Sequence, residues 1–167
     1  MTRAVLDAGP LIHLAELESL DILSDFQILY VADTVWQEAE QHRPQIFSHH
    51  NLCLERISVP TPSPELHALA QGLALDQGEI ESLGLMEQYP HAFFLTDDAA
   101  ARLAAEQRGY RVHGTIGLLI RSVRRNQKPA DEILELLRAL PQRSTLFIRP
   151  NLLESIIKQL EKEWTIK

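Results

Sequence analysis

The stretch Ala4-Val5-Leu6-Asp7-Ala8-Gly9-Pro10-Leu11-Ile12 decides how the rest of the chain is read. A short apolar run stops at an aspartate, a Gly-Pro pair follows, and apolar periodicity then resumes. This pattern predicts a buried first strand, a tight turn and a helix, with Asp7 at the strand's carboxyl end. Open α/β sheets bind ligands just outside the carboxyl ends of their strands. An ionisable side chain there costs free energy unless something pairs with it. Asp7 therefore either caps the following helix, as Asp often does, or belongs to a site whose other members lie further along the chain.

The chain has 167 residues, the length of one domain, and 45% hydrophobic composition supports a sizeable core. No apolar run reaches the ~18 residues of a membrane span. Thr2-Arg3 meets Asp7 too soon for a signal peptide, so the expected compartment is the cytoplasm. The single Cys53 excludes an internal disulfide framework and a Cys-rich zinc site. The seven His are scattered without an HExxH pattern, which argues against a His-based zinc site. A formal net charge of −7 argues against duplex DNA held by bulk charge. It is compatible with a nucleic-acid enzyme that concentrates carboxylates at a metal and keeps a local basic patch.

Along the chain, apolar runs alternate with helical periodicities. Strands are expected at Phe26–Val31, Leu52–Val59, Ala92–Thr96 and Tyr110–His113, with a last one at Leu146–Ile148. Helices are expected from Leu11 to Leu17, after Ser19, after an Asp33 or Thr34 cap, and over Glu65–Leu75 and Glu79–Gln88. Further helices are expected over Ala99–Gln107, from Gly114 to Arg125, over Ala130–Leu140, and from an Asn151 cap to Glu163. Pro60, Pro62 and Pro64 mark an extended connection. Strands alternating with helices imply parallel pairing, hence an α/β fold.

Acids punctuate this order. Asp7 and Asp97-Asp98 follow apolar runs whose strands are parallel, so their carboxyl ends share one edge of the sheet. At ~100° per residue, Glu79 falls in the sector of Ile80, Leu83 and Met86, whereas Glu81 points nearly the other way and reads as solvated. Glu38 borders the stripe set by Val35 and Ala39, and a surface position is the competing reading. Carboxylates brought within a few ångströms raise one another's pKa. Oxygen donors without Cys or paired His suit Mg²⁺ or Mn²⁺. Such ions activate water and stabilise a phosphodiester's leaving oxygen.

Five pieces of the sequence, in order, resemble the PIN-domain ribonuclease superfamily. They are Val5 to Leu14, Val35-Trp36-Gln37-Glu38, Gly78-Glu79-Ile80-Glu81, Phe94 to Asp98 with Ala101-Arg102, and Val112 to Leu119. The resemblance is closest to a PIN-like branch of prokaryotic proteins related to toxin-type nucleases. It implies a three-layer α/β/α fold with a central, mainly parallel sheet. It also implies one PIN-like domain over 1–167, with a core at about 4–128 and a helical extension at about 129–167. The implied activity is Mg²⁺- or Mn²⁺-dependent cleavage of RNA, with the chain as the toxin of a toxin–antitoxin pair. Carried over by position, the catalytic acids are Asp7, Glu38, Glu79 and Asp97 or Asp98. Of these, Asp7, Glu79, Asp97 and Asp98 are the metal ligands. Glu79 stands where many PIN proteins have Asp. Counting from Thr96 selects Asp98, and counting from the strand end selects Asp97.

Thr115 either adds a hydroxyl to this site or caps a helix. Arg121, Arg124, Arg125 and Lys128 either bind RNA phosphates or favour a helix C-terminus. His42, His49 and His50 lie in a loop, and Trp36 and Trp164 read as core or interface. The apolar stripe Leu152-Leu153-Ile156-Ile157-Leu160 covers its own chain or packs on a partner, either a second copy in a homodimer or an antitoxin. The competing function is a catalytically weak PIN-like module that binds RNA or protein. A phosphatase-like use of Asp7 as nucleophile is disfavoured, because Gly9 stands where a second Asp belongs.

Overall fold

The computed structural model describes residues 2–48 and 51–165. Five strands, β1 (Arg3–Leu6), β2 (Ile28–Ala32), β3 (Leu54–Ile57), β4 (Phe93–Leu95) and β5 (Arg111–His113), form one sheet in the order β3-β2-β1-β4-β5. Every pairing is parallel. Successive strand residues face opposite sides, yet Ala4, Val5 and Leu6 are all fully buried. Both faces of β1 are therefore covered, as the uninterrupted apolar run requires. The architecture is the expected three-layer α/β/α arrangement.

The covering helices are α1 (Ala8–Glu16), α2 (Asp33–His42), α3 (Pro64–Leu73), α4 (Gln77–Gln88), α5 (Ala99–Gln107), α6 (Thr115–Arg124), α7 (Ala130–Arg143) and α8 (Pro150–Thr165). Two 3₁₀ stretches, Leu20–Asp25 and Pro44–Ser48, complete the connections. The chain steps outward from β1 to β2 and β3, then returns to the far side of β1 as β4. That reversal makes the β1–β4 boundary the switch point, where open α/β sheets leave a crevice at the carboxyl ends. Leu6 is paired with Leu95 there, and the Asp7 amide donates to the Leu95 carbonyl at 2.9 Å.

Several local expectations are corrected. Leu146–Ile148 is not a strand; it has no partner in the sheet and runs as a strap without regular secondary structure between α7 and α8. Asp33 and Thr34 lie inside the first turn of α2, whose cap is Ala32 without a side-chain bond. Asp33 instead binds Arg56 and Ser58, both at 2.7 Å. Ser19 bonds the Leu17 carbonyl rather than capping the 3₁₀ stretch. Asn151 lies within α8, which Pro150 opens, as proline's preset φ favours.

The C-terminal segment packs in series. α7 lies on α6, and α8 lies on α7. Ile133, Leu136, Leu137 and Leu140 of α7 join the core, as do Leu153 and Leu160 of α8. The α8 stripe is thus occupied within the chain, leaving Leu152 exposed. No described helix is long and apolar enough to cross a membrane.

Candidate metal centre

The site grows from the switch point. Asp7 leaves β1 with extended backbone and caps α1, its Oδ1 accepting from the Ala8 amide at 2.9 Å. Its Oδ2 accepts from the Thr96 hydroxyl at 2.8 Å. Thr96 in turn accepts from the Asp98 amide at 3.2 Å, linking the ends of β1 and β4. Asp98 caps α5 through Oδ2, 2.8 Å from the Ala101 amide. Across the opening, Asp76 and Glu79 form a reciprocal capping box at the start of α4, with both bonds at 2.8 Å. These caps aim their carboxylates at one region: α1 and α5 begin where β1 and β4 end, and α4, which leads back to the start of β4, begins at the same edge.

The result is a cavity of about 330 Å³ lined by Asp7, Ala8, Gly9, His13, Glu38, Asp76, Glu79, Asp97, Asp98, Leu146 and Phe147. Six carboxylates face it, and no Arg or Lys is among its lining residues. Burial, the largest influence, pushes the Asp7 carboxyl up to about 6; the charges of Asp76 and Glu38 add to this against the Thr96 and Ala8 hydrogen bonds. Burial likewise pushes Glu79 up to about 7, reinforced by Asp76, Asp98 and Asp7.

Asp97 is treated differently. Burial pulls its pKa upward, but hydrogen bonds from His13 and Thr115 prevail and hold it below the ordinary value. Its Oδ2 lies 2.7 Å from His13 Nδ1 and 2.5 Å from the Thr115 hydroxyl, and its Oδ1 is 2.7 Å from the Thr115 amide. A Cβ on Gly114 would sit 2.8 Å from Asp97 Oδ1, so glycine is what lets the next strand end approach this carboxylate.

All five acids singled out from the sequence line this one cavity. Thr115 does not; it is fully buried, neither faces the cavity nor acts as a cap, and holds Asp97 from behind. Sequence reasoning missed two lining groups, Asp76 and His13. Asp76-x-x-Glu79 carries a capping-box signature that could have located the first. Glu81 is not simply solvated. It accepts from the Thr34 amide and hydroxyl at 3.2 and 2.5 Å, and borders a separate cavity of about 430 Å³ with Asp33 and Ser58.

The basic cluster lies elsewhere. α6 starts beside the carboxyl end of β5 and runs back to the opposite edge, where Asp25 precedes β2. There Arg121 and Arg125 both bind Asp25, and Lys128 binds Asp21 at 2.8 Å and Glu132 at 3.5 Å. Arg124 is exposed. Trp36 stacks on Phe47, with ring centroids 4.0 Å apart, and Trp164 packs against the core. His42 ends α2, whereas His49 and His50 lie outside the described residues.

The donor set suits a hard divalent cation. Asp7, Glu79 and Asp98 each use only part of their acceptor capacity on the protein, and Glu38 adds another oxygen. Among the described residues no three His, Cys, Asp or Glu close into a tight cage. Mg²⁺ does not need one, since it keeps several waters and uses one or two carboxylates.

The family model described as a PIN domain matches residues 3–162. No curated protein matches the chain.

Proposed function

We propose a function from one premise: this chain belongs to the PIN-domain family. PIN domains are generally nucleases that use divalent ions, which makes phosphodiester hydrolysis the coarse activity. The finer reading is an endoribonuclease that binds Mg²⁺ or Mn²⁺ through Asp7, Glu79 and Asp98, with Glu38 beside them. The observation that carries it is a half-enclosed set of carboxylates at the switch point with no Arg or Lys among its lining residues. An ion bound there would supply an activated water and charge stabilisation at the leaving oxygen.

The chain's own residues divide the remaining work. Thr96 and the Ala8 amide fix both Asp7 oxygens, so the carboxylate presents one orientation to the cavity. Asp98 and Glu79 are held by their capping bonds, which limits side-chain motion. Asp97, with three of its roughly four lone-pair sites taken by protein donors, orients His13 and keeps little acceptor capacity for an ion. His13 keeps its ring at the cavity wall, where it can contact a phosphate oxygen. By analogy with toxin-type relatives, the same reading extends to a toxin with an antitoxin partner and to a homodimer.

The heavily hydrogen-bonded Asp97 favours a second reading, a PIN-like module that binds RNA without cutting it. A mixed pool of single-stranded RNA incubated with Mn²⁺, Mg²⁺ or a chelator separates the two. Hydrolysis by water predicts ion-dependent fragments with simple phosphate and hydroxyl ends. Retained RNA binding with no fragments under any ion supports the second reading. Ion-independent fragments ending in a 2′,3′-cyclic phosphate contradict the metal-dependent one.

A further inference from the structure

Phe147 is 84% exposed, far more than the other exposed large hydrophobics among the described residues, Leu103 at 45% and Leu152 at 52%. It also lines the acidic cavity. An apolar ring in water at the rim of a carboxylate pocket has no packing role to explain it. The segment that carries it is anchored. Glu16 Oε1 accepts from the Ser144 hydroxyl at 3.0 Å and from the Thr145 amide and hydroxyl at 2.9 and 3.0 Å. Ser144 Oγ also accepts from the Leu146 amide at 3.1 Å. Along the strap, Leu146 and Ile148 pack partly against the core, while Thr145, Phe147 and Arg149 are exposed. Exposure alternates residue by residue along the strap, which puts Phe147 and Arg149 together on its outer side.

We propose that this strap is a nucleobase-binding subsite, in which Phe147 stacks on an unpaired base and Arg149 contacts a neighbouring phosphate of a single-stranded RNA whose backbone enters the acidic pocket. The inference rests on the ribonuclease reading. Single-strand binders combine a flat aromatic surface with nearby cations, and a ring serves any base. A protein contact would instead centre on a contiguous apolar patch with few charges, whereas the strap positions flanking Phe147 on its exposed side are Thr145 and Arg149.

The test measures binding of a fluorescein-labelled oligouridylate, and of an abasic ribose-phosphate chain of the same length, with Ca²⁺ replacing Mg²⁺ to keep the chains uncut. Phe147→Ala should weaken oligouridylate binding about tenfold, leave the abasic chain unaffected, and be rescued by Phe147→Trp. Arg149→Ala should weaken both chains and lower the salt-dependence slope by about one. Thermal melts confirm that the variants remain folded. If wild type binds and cuts RNA while Phe147→Ala matches it on both chains, the stacking subsite is overturned and the ribonuclease reading stands. Equal losses on both chains, or a changed oligomeric state with unchanged RNA affinity, also overturn stacking. A wild type that neither binds nor cuts RNA removes the ribonuclease reading, and the subsite with it.

Discussion

The two edges of the sheet handle carboxylates in opposite ways. At the amino edge, Asp25 sits between Arg121 and Arg125, and Asp21 meets Lys128. Arg121 also lies over the Phe26 ring, 4.6 Å from its centroid. Burial raises the Asp25 pKa, but hydrogen bonds from the two arginines prevail and hold it low. At the carboxyl edge, six carboxylates share one cavity without Arg or Lys, and two of them are pushed up to about 6 and about 7. The same residue type is therefore charge-paired at one edge, whereas at the other it is held by hydrogen bonds with no Arg or Lys lining the cavity to balance its charge. Unbalanced charge of this kind, with raised pKa values, clusters at functional sites.

The sharpest way to break this contrast is Asp7→Asn. Loss of a proposed ligand should lower cleavage on the order of 100-fold or more. Stability should move the other way. The Asp7 carboxyl titrates near 6 in the folded chain against an ordinary value of 3.8, so the folded state binds the proton more tightly. The stability this group contributes is fully present below about pH 4 and is lost as pH rises through about 6. A shift of that size corresponds to about 3 kcal/mol. Denaturant melts across this range should show wild type falling relative to Asp7→Asn, and added Mn²⁺ should narrow the gap. Parallel pH profiles for the two proteins would contradict the assignment.

Gly114→Ala probes the carboxylate that is satisfied within the acidic site. The new Cβ would crowd Asp97 Oδ1 and the Thr96 carbonyl, at 2.8 and 3.2 Å. Overpacking of this kind costs about 1–3 kcal/mol. Cleavage should fall as Asp97 shifts and His13 loses its anchor. A variant as stable and as active as wild type would show that this buttress is dispensable.

The smallest effects belong to the amino edge. Arg121→Ala leaves Asp25 partly buried with Arg125 alone, and should cost about 1–2 kcal/mol with cleavage per folded molecule unchanged. Arg124→Ala, at an exposed position, should stay within ~0.5 kcal/mol. Thermal melts paired with RNA cleavage check both. A large activity loss in either, at unchanged stability, would return this cluster to substrate binding.

How far the sequence could be read follows from the same physics. Asp7 and Asp97-Asp98 stood out because each ends an apolar run, and parallel pairing alone puts such ends on one edge. The α5 bounds were legible for a similar reason, since Asp98 caps the helix and Gly109, with φ of +78°, follows its end. Asp76 fell in the gap between the helices expected over Glu65–Leu75 and Glu79–Gln88, although its capping box begins the second of them. His13 was hidden because its partner Asp97 is 84 residues away. The Leu146–Ile148 strap shows the alternation of a strand, but a strand also needs a neighbouring edge, and periodicity does not report one. The destination of Arg121 depended on where α6 ends, which only the packed topology fixes.

The most direct test of the central claim is a calorimetric Mn²⁺ titration at neutral pH on wild type, Asp7→Asn and Arg121→Ala. The account predicts saturable binding in wild type and Arg121→Ala, with binding lost or greatly weakened in Asp7→Asn. No binding in a folded wild type, or equal binding in wild type and Asp7→Asn, would contradict it.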